Sequence, residues 1–288
     1  MPPRLQAFLA ILVWGVSFVA TKAAVAEVSP VALIGARAAL GAGLLLAVLL
    51  ARRESLLLPR DTLGPLALMG FVGVAFHQLL QAYALTLTSA VSTGWLIGIT
   101  PIWSALFAAF GLRERLSAGR WLGLLLGFIG AAIVVTRGRI SGALALPSTR
   151  GDLLILLSTL NWAFYTVLGH PTIRRLGPTR ATAGSMIAGT LWLLPLFASL
   201  GAWHDFARLS ATGWVAVLFL GLLCSGAGYL FWYGALARVE ASRVAAFLYL
   251  EPLVTLAAAA LLLGESIGVS TLAGGTLLVA GVILVQRA

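Results

Sequence analysis

Glu251 is a carboxylic acid in an otherwise apolar stretch of the chain, FLYLEPLVTLAAAALLLGES (247–266), and Pro252 follows it directly. An ionised carboxylate in an apolar medium costs several kcal/mol unless something neutralises or solvates it. Three roles would explain a glutamate here: a ligand for a cation or a substrate ammonium, a proton carrier, or a structural acid bonded to unpaired backbone groups. The residues themselves leave these three roles open.

Two prolines are expected to break apolar helices. Pro252 removes the hydrogen bond to the carbonyl of Leu248, four residues earlier, and Pro101 does the same to Ile97. In a membrane, irregular backbone is tolerated where it is buried in protein or lines water. We therefore expect Pro101 and Pro252 to be gating hinges beside a central cavity, and the opened backbone to offer Glu251 partners or water. The alternative is that proline is common in membrane helices anyway.

Aromatic and polar side chains recur at helical spacing along several apolar segments. Trp14, Ser17 and Thr21 fall at i, i+3 and i+7, which places them on one helix face. Amide side chains such as Gln78 would be unsatisfied in hydrocarbon and should face inward. A cavity with aromatic walls and a few amides suits a mid-sized, partly apolar solute. The predicted substrate-binding residues are Trp14, Ser17, His77, Gln78, Gln81, Trp95, Trp162, Tyr165, Tyr229, Trp232 and Tyr249.

Two further ionisable residues each have competing explanations. His77 titrates near neutrality and could be a proton-linked switch, but a lone membrane histidine is more often a hydrogen-bonded core residue. Arg37 could bind a substrate carboxylate, but a long side chain near a helix end usually snorkels to the interface or pairs with a neighbour. The 3 histidines are scattered, no carboxylate cluster accompanies them, and there is 1 cysteine. We therefore expect no metal site, no cofactor and no disulfide.

The composition requires a largely lipid environment. Of 288 residues, 60% are apolar and 10% are charged, with a mean hydropathy of +1.02, whereas about a quarter of a soluble protein is charged. Runs long enough to cross a bilayer need about 20 apolar residues, and these runs are too uniformly apolar for a membrane β-barrel. The predicted spans are 5–25, 31–51, 63–83, 89–110, 117–136, 152–170, 179–200, 211–233, 243–263 and 268–286. The predicted fold class is an all-α integral membrane protein with ten transmembrane helices.

The positive charges give an orientation for these spans. A net charge of +10 often indicates a nucleic-acid partner, but here Lys and Arg occupy short loops between apolar spans. With the N-terminus inside, thirteen of the 19 positive residues fall on cytoplasmic segments, five fall outside and Arg37 lies within a span. Both termini are therefore expected in the cytoplasm, in a multi-pass protein of a bacterial-type inner (plasma) membrane. The segment 137–150 is the one clear violation of the rule.

An internal repeat divides the chain into two halves. Residues 100–135 match residues 251–286 at an offset of 151, pairing Pro101 with Pro252, and upstream an offset of 148 pairs Trp14 with Trp162. The predicted units are a first five-helix repeat, 1–137, an extracytoplasmic linker, 138–150, and a second five-helix repeat, 151–288. Because five spans is an odd number, the second repeat must be inverted in the membrane. Inverted repeats are a transporter design, with the site near the midplane.

Three segments carry a family resemblance. LVWGVSFVATKAAVAEVSPVALIGARAAL (12–40), TPIWSALFAAFGLRERLSAGRWLG (100–123) and LEPLVTLAAAALLLGESIGVSTLAGG (250–275) resemble the signature segments of the drug/metabolite transporter superfamily, EamA type. Among its branches the chain is most similar to the aromatic amino-acid exporters of the YddG type. The resemblance implies a ten-helix carrier of small metabolites. It also implies that the Glu-Pro pair is a general family feature, which favours the structural role of Glu251.

The function expected from these patterns is a secondary transporter that exports amino acids, aromatic and other mainly neutral ones, or similar small metabolites by alternating access. The alternatives are a drug, purine or sugar carrier of the same superfamily, or a passive channel. An integral membrane enzyme would need a cluster of His, Asp or Glu near one interface, and the sequence has none. The expected partners are a small-molecule substrate and the lipid bilayer. The small residues at 123–127 and at 274 and 281 favour close helix packing, within one chain or in a homodimer.

Overall fold

All the regular secondary structure in the described part of the chain is helical. A computed structural model describes residues 1–55, 57–88, 93, 96–136, 150–255, 257 and 269–288. We number the helices in chain order: α1 Pro3–Val25, α2 Pro30–Ala51, α3 Arg60–Leu87, α4 Thr100–Gly111, α5 Ala118–Thr136, α6 Arg150–Leu176, α7 Pro178–Ser199, α8 Ala211–Leu236, α9 beginning with Ala241–Ala246, and α10 Val269–Arg287. A short 3₁₀ helix, Ala202–Arg208, lies between α7 and α8.

Seven helices of the described part are long and apolar enough to cross a membrane: α1, α2, α3, α5, α6, α7 and α8. Their positions agree with seven of the predicted spans. The other three predictions, 89–110, 243–263 and 268–286, include residues outside the described ranges, so ten crossings stay a prediction.

Several helices begin with a local signal. Pro30 and Pro178 open α2 and α7, at a position where the missing N–H would have no helical partner. Ser29 caps α2 by accepting a hydrogen bond from the Ala32 N–H at 3.3 Å. Ser210 caps α8 through the Gly213 N–H at 3.0 Å. The side-chain oxygens replace partners that the first turn of a helix lacks.

Both chain ends lie at the same end of the helix bundle, which we call the N/C end. The Arg4 guanidinium donates to the Gln286 carbonyl at 3.2 Å, and Arg238 donates to the Met1 carbonyl at 3.2 Å. The expectation that both termini are on one side of the membrane agrees with this contact.

At the opposite end, two carboxylates join the α1–α2 loop to the α7–α8 segment. Glu27 accepts hydrogen bonds from the Ser210 N–H and hydroxyl at 2.7 and 2.8 Å. Asp205 accepts one from the Ser29 N–H at 2.9 Å. These bonds favour the charged form, so the pKa of Glu27 and that of Asp205 are held below their usual values.

α5 and α10 pack against each other through glycines. A Cβ on Gly130 would lie 2.4 Å from the Leu278 nitrogen, and one on Gly281 would lie 2.5 Å from the Gly127 nitrogen. No real Cβ occupies such a position, so only glycine permits this backbone approach. The sequence left open whether these small residues serve a contact within the chain or between chains, and the structure uses them within the chain.

Candidate functional site

A cavity of about 660 Å³, including its part open to solvent, lies among α1, α2, α3, α4, α6, α8 and α9. Helices from both the N-terminal and the C-terminal half of the chain therefore contribute to its wall. The lining residues are Trp14, Ser17, Phe18, Thr21, Ile34, Arg37, His77, Gln78, Gln81, Ala82, Leu85, Ile97, Thr100, Ser158, Thr159, Trp162, Tyr229, Leu248 and Glu251.

Three aromatic rings form the wall of the cavity nearest the N/C end. The ring centroid of Trp14 lies 5.2 Å from that of Trp162 and 5.6 Å from that of Tyr229, and the last two lie 5.8 Å apart. All three pairs are edge-to-face, the arrangement that aromatic quadrupoles favour. The Trp14 indole N–H donates to the Cys224 carbonyl at 3.1 Å, which fixes its orientation. We call Trp14, Trp162 and Tyr229 the aromatic layer.

A second set of rings packs behind the aromatic layer. Trp232 lies 5.3 Å from Trp14, and Tyr165 lies 5.3 Å from Trp162. The hydroxyls of Tyr165 and Tyr233 are hydrogen-bonded to each other. Tyr165 and Trp232 were predicted to contact substrate, but they are fully buried and do not line the cavity. They close the N/C side of the aromatic layer.

The polar residues of α3 face inward to the cavity, as expected, but they differ in how many hydrogen bonds they make. The Gln78 amide donates to the Tyr229 hydroxyl at 2.7 Å, and that hydroxyl donates to the Gly73 carbonyl at 2.8 Å. Gln81 lines the cavity and has no hydrogen bond within the described residues. His77 lies with its ring centroid 4.9 Å from that of Trp162. Its Nδ1 is buried without a hydrogen-bond partner among the described residues.

Hydroxyl groups on the cavity wall donate their protons to nearby backbone carbonyls. Ser17, Thr100 and Thr159 each donate to the carbonyl three residues earlier, at 2.7 Å, and Ser158 does so at 2.8 Å. Because the proton is engaged, each oxygen has its lone pairs left for a ligand. The wall therefore offers acceptors on α1, α4 and α6.

Two charged residues line the cavity. Arg37 is only 5% exposed, so its side chain does not snorkel to the interface. Its Nε donates to the Ser225 hydroxyl at 3.0 Å. Glu251 is 6% exposed. Its carboxylate makes no hydrogen bond or ion pair within the described residues, so the backbone bonds expected of a structural acid are not found there.

Pro101 and Pro252 lie where the regular α-helix is interrupted. The carbonyls that lose a helical hydrogen bond to these prolines, those of Ile97 and Leu248, accept hydrogen bonds from other groups of the chain. Before Pro252, the Glu251 N–H donates to the Leu248 carbonyl at the end of the 3₁₀ turn Phe247–Leu250. Before Pro101, the Thr100 hydroxyl donates to the Ile97 carbonyl at 2.7 Å. The expectation that the opened backbone offers the Glu251 carboxylate partners or water stays a prediction. Pro101 and Pro252 are buried. The residues directly before them, Thr100 and Glu251, line the cavity.

Two predicted residues are not part of this wall as described. The Tyr249 hydroxyl donates to the Leu124 carbonyl at 2.8 Å, and its ring packs on Gly127 of α5, away from the cavity. Trp95 lies outside the described residues. The lining residues absent from the predicted set are Phe18, Thr21, Ile34, Arg37, Ala82, Leu85, Ile97, Thr100, Ser158, Thr159 and Leu248. Ser158 and Thr159 precede Trp162 by one helical turn, so the spacing that marked Trp162 could have found them.

Polar contacts hold the two halves of the chain together at the N/C end. The Glu114 carboxylate accepts hydrogen bonds from the Ala241 N–H at 2.7 Å, the Ser242 N–H at 3.2 Å and the Ser242 hydroxyl at 2.5 Å. It thus caps the first turn of α9, where a negative charge is favourable. Beside it, Arg120 forms an ion pair with Glu240 at 2.6 Å. We call the Glu114–α9 and Arg120–Glu240 contacts the N/C clamp.

No group of three metal-ligating side chains occurs in the described residues. The described lining offers aromatic rings, amides, hydroxyls and two charged side chains, which suit stacking, hydrogen bonding and charge recognition.

Comparison with known proteins assigns the chain to a family. The model of the EamA-like transporter family matches residues 2–136 and matches again at residues 149–287. An uncharacterized transporter of Archaeoglobus fulgidus is 28% identical over 97% of this chain and 96% of its own length. A protein of Streptantibioticus cattleyicolor named "probable terminal-alkyne amino-acid exporter" is 31% identical over 77% of this chain and 72% of its own.

The fold also has a solved counterpart. A crystal structure at 21% identity superposes with a TM-score of 0.79, covering 99% of this chain and 96% of the other. At that identity the likeness shows the fold.

Proposed function

The chain belongs to the EamA-like transporter family, a family of membrane transporters, and from this premise we propose that it exports amino acids, aromatic and other mainly neutral ones, by alternating access. The observation that carries the proposal is the aromatic layer at the base of a cavity that both halves of the chain line. Indole and phenol rings offer faces and edges to a ring or an aliphatic side chain. The amides and hydroxyls around them suit the polar end of such a solute.

A relative supports the choice of amino acids within the family. The Streptantibioticus cattleyicolor protein, at 31% identity, is named "probable terminal-alkyne amino-acid exporter". Sugar phosphates and nucleotide sugars fit less well, since they usually need several inward Arg or Lys side chains. Within the described lining only Arg37 is cationic.

We favour alternating access over a passive channel because, within the described residues, buried rings lie between the cavity and the N/C end. The rings behind the aromatic layer and the N/C clamp leave no described opening toward the N/C end. Under the proposed topology that end is cytoplasmic. Loading from the cytoplasm then requires α4 and α9 to separate, with Pro101 and Pro252 as the proposed hinges.

Counterflow in liposomes tests the substrate class. Purified protein is reconstituted with unlabelled solute inside, and labelled amino acids, nucleosides, purines and sugars are supplied outside in turn. We expect accumulation of labelled phenylalanine, tryptophan and leucine. Counterflow of nucleosides, purines or sugars with none of amino acids would contradict the proposal and favour another branch of the superfamily.

A further inference from the structure

Arg37 is a buried cation without an acidic partner in the described structure. Its residue is 5% exposed and lines the cavity. No carboxylate of the described residues lies within 4.0 Å of its guanidinium. Its one hydrogen bond, from Nε to the Ser225 hydroxyl at 3.0 Å, is to a neutral group. A guanidinium cannot release its charge in a protein, so a buried one is costly until an anion or water completes it.

The hydrogen bond to Ser225 leaves the outer edge of the guanidinium available. Neither terminal nitrogen of Arg37 has a hydrogen-bond partner within the described residues. Neither of these two nitrogens is fully buried. A guanidinium edge with two parallel N–H groups matches the two oxygens of a carboxylate. The neutral Ser225 hydroxyl fixes the orientation without neutralising the charge.

Successive residues of α8 hold this cation beside the aromatic layer. Trp14 is fixed by the Cys224 carbonyl at 3.1 Å, and Arg37 is fixed by the next residue, Ser225. An anionic group on Arg37 therefore lies next to the rings that would take an apolar substituent. Both groups line the same cavity, so one solute can contact Arg37 with a carboxylate and the rings with an apolar group.

We infer that Arg37, oriented by Ser225, is the subsite that binds the substrate carboxylate. This inference rests on the proposed function and deepens it, because it names the group by which every amino acid is recognised. The subsite requires only a carboxylate beside an apolar group. The transporter therefore accepts aromatic carboxylates that lack an amine and rejects aromatic amines that lack a carboxylate.

Competition against labelled phenylalanine in the wild-type protein is the first test. 3-Phenylpropionate keeps the carboxylate and phenethylamine keeps the ammonium. We expect 3-phenylpropionate to compete at about 10- to 100-fold lower concentration than phenethylamine, the range for losing hydrogen bonds to a charged group. Equal competition, or a preference for the amine, would overturn the inference without any variant being made.

Variants test the roles of the two residues. Arg37→Gln should raise the KM for phenylalanine about 10- to 100-fold and abolish the preference for 3-phenylpropionate. Arg37→Lys keeps the charge without the fork and should keep the preference at weaker binding. Ser225→Ala should raise KM while the preference persists, as expected for a positioning residue. A folded Arg37→Gln protein with wild-type KM and preference would contradict the inference.

A binding measurement separates this inference from the proposed function. The melting temperature of each protein is recorded with and without 3-phenylpropionate, which requires no transport. If no amino acid shows counterflow, yet 3-phenylpropionate stabilises wild type and not Arg37→Gln, the proposed function fails and the carboxylate subsite stands. If phenylalanine shows counterflow and 3-phenylpropionate stabilises both proteins equally, the subsite fails and the function stands.

Discussion

Trp162 lies beside three other rings that line the cavity. It lies 5.2 Å from Trp14, 4.9 Å from His77 and 5.8 Å from Tyr229. Trp162→Ala should therefore remove a face against which an aromatic substrate stacks, a loss of about 0.5–2 kcal/mol or roughly 2- to 30-fold in binding. Transport kinetics of tryptophan and phenylalanine measure the effect.

A tryptophan outside the cavity provides the matched control. Trp203 lies in the 3₁₀ helix, is 50% exposed and does not line the cavity. Trp203→Ala should leave KM unchanged, and both variants should accumulate in the membrane nearly as wild type does. Equal effects of the two substitutions on KM would show that Trp162 has no special place in binding.

Glu251→Gln distinguishes the roles considered for this acid. Because its carboxylate makes no bond within the described residues, we expect the variant to keep the yield and melting temperature of wild type. Proton-gradient-driven transport should fall. As a proton carrier, Glu251 would be dispensable for counterflow, which moves no net proton. As an ammonium ligand, its loss would weaken counterflow of phenylalanine and spare 3-phenylpropionate.

A loss of melting temperature in Glu251→Gln would restore the structural role. Full retention of both forms of transport at normal stability would exclude the proton-carrier and ligand roles together.

Glu114, in the α4–α5 loop, caps α9, so the stability of the first turn of α9 should depend on this residue. One carboxylate satisfies two N–H groups and a hydroxyl of its first turn. Removing a helix cap costs about 0.5–2 kcal/mol, so Glu114→Ala should accelerate amide exchange in Ala241–Ala246 about 2- to 30-fold. Hydrogen–deuterium exchange by mass spectrometry measures this directly. The first turn of α2, capped independently by Ser29, should exchange as in wild type, and an unchanged α9 would show that the N/C clamp adds no stability there.

The α5–α10 contact is a second element-level test. Gly130→Ala places a methyl group 2.4 Å from the Leu278 nitrogen, and such overpacking costs about 1–3 kcal/mol. The melting temperature in detergent should drop. Gly43→Ala in α2 is the control, because a Cβ there meets nothing within 4 Å. Equal melting temperatures for the two variants would mean that α5 and α10 do not approach so closely.

Helical spacing identified which side chains share a face but not how deep the cavity extends. Trp14, Gln78 and Trp162 were found because a period of 3.6 residues aligns them with other polar or aromatic groups. Tyr165 and Trp232 share those faces, yet each lies one turn nearer the N/C end and falls behind the aromatic layer. Tyr249 belongs to a 3₁₀ turn, whose angle per residue differs from that of an α-helix.

Arg37 shows the same limit for charged residues. Its position in the sequence fits snorkelling, and only the distant Ser225, brought near by the packing of α2 on α8, shows where the guanidinium goes. A partner 188 residues away has no local signal. The apolar runs, by contrast, follow from local composition, which is why the seven described long spans agree with those predicted.

Within the described residues, both halves of the chain line the site, and buried rings and the N/C clamp lie between it and the N/C end. The family model matches each half in turn, and two π-helical stretches, Gly70–Phe76 and Phe219–Gly228, lie near the offset of the predicted repeat. An inverted repeat would let the same rearrangement open one end and close the other. A carrier of that kind moves its solute by changing state with the solute bound.

Trans-stimulation tests this central claim most directly. The initial uptake of labelled phenylalanine is measured in proteoliposomes that contain either buffer or unlabelled phenylalanine. For an alternating-access carrier whose return with empty site is slow, internal phenylalanine should raise the initial rate severalfold, and Arg37→Gln should lose the stimulation at the same concentration. Equal uptake with and without internal phenylalanine in a protein that passes the solute rapidly would contradict alternating access and show a passive channel.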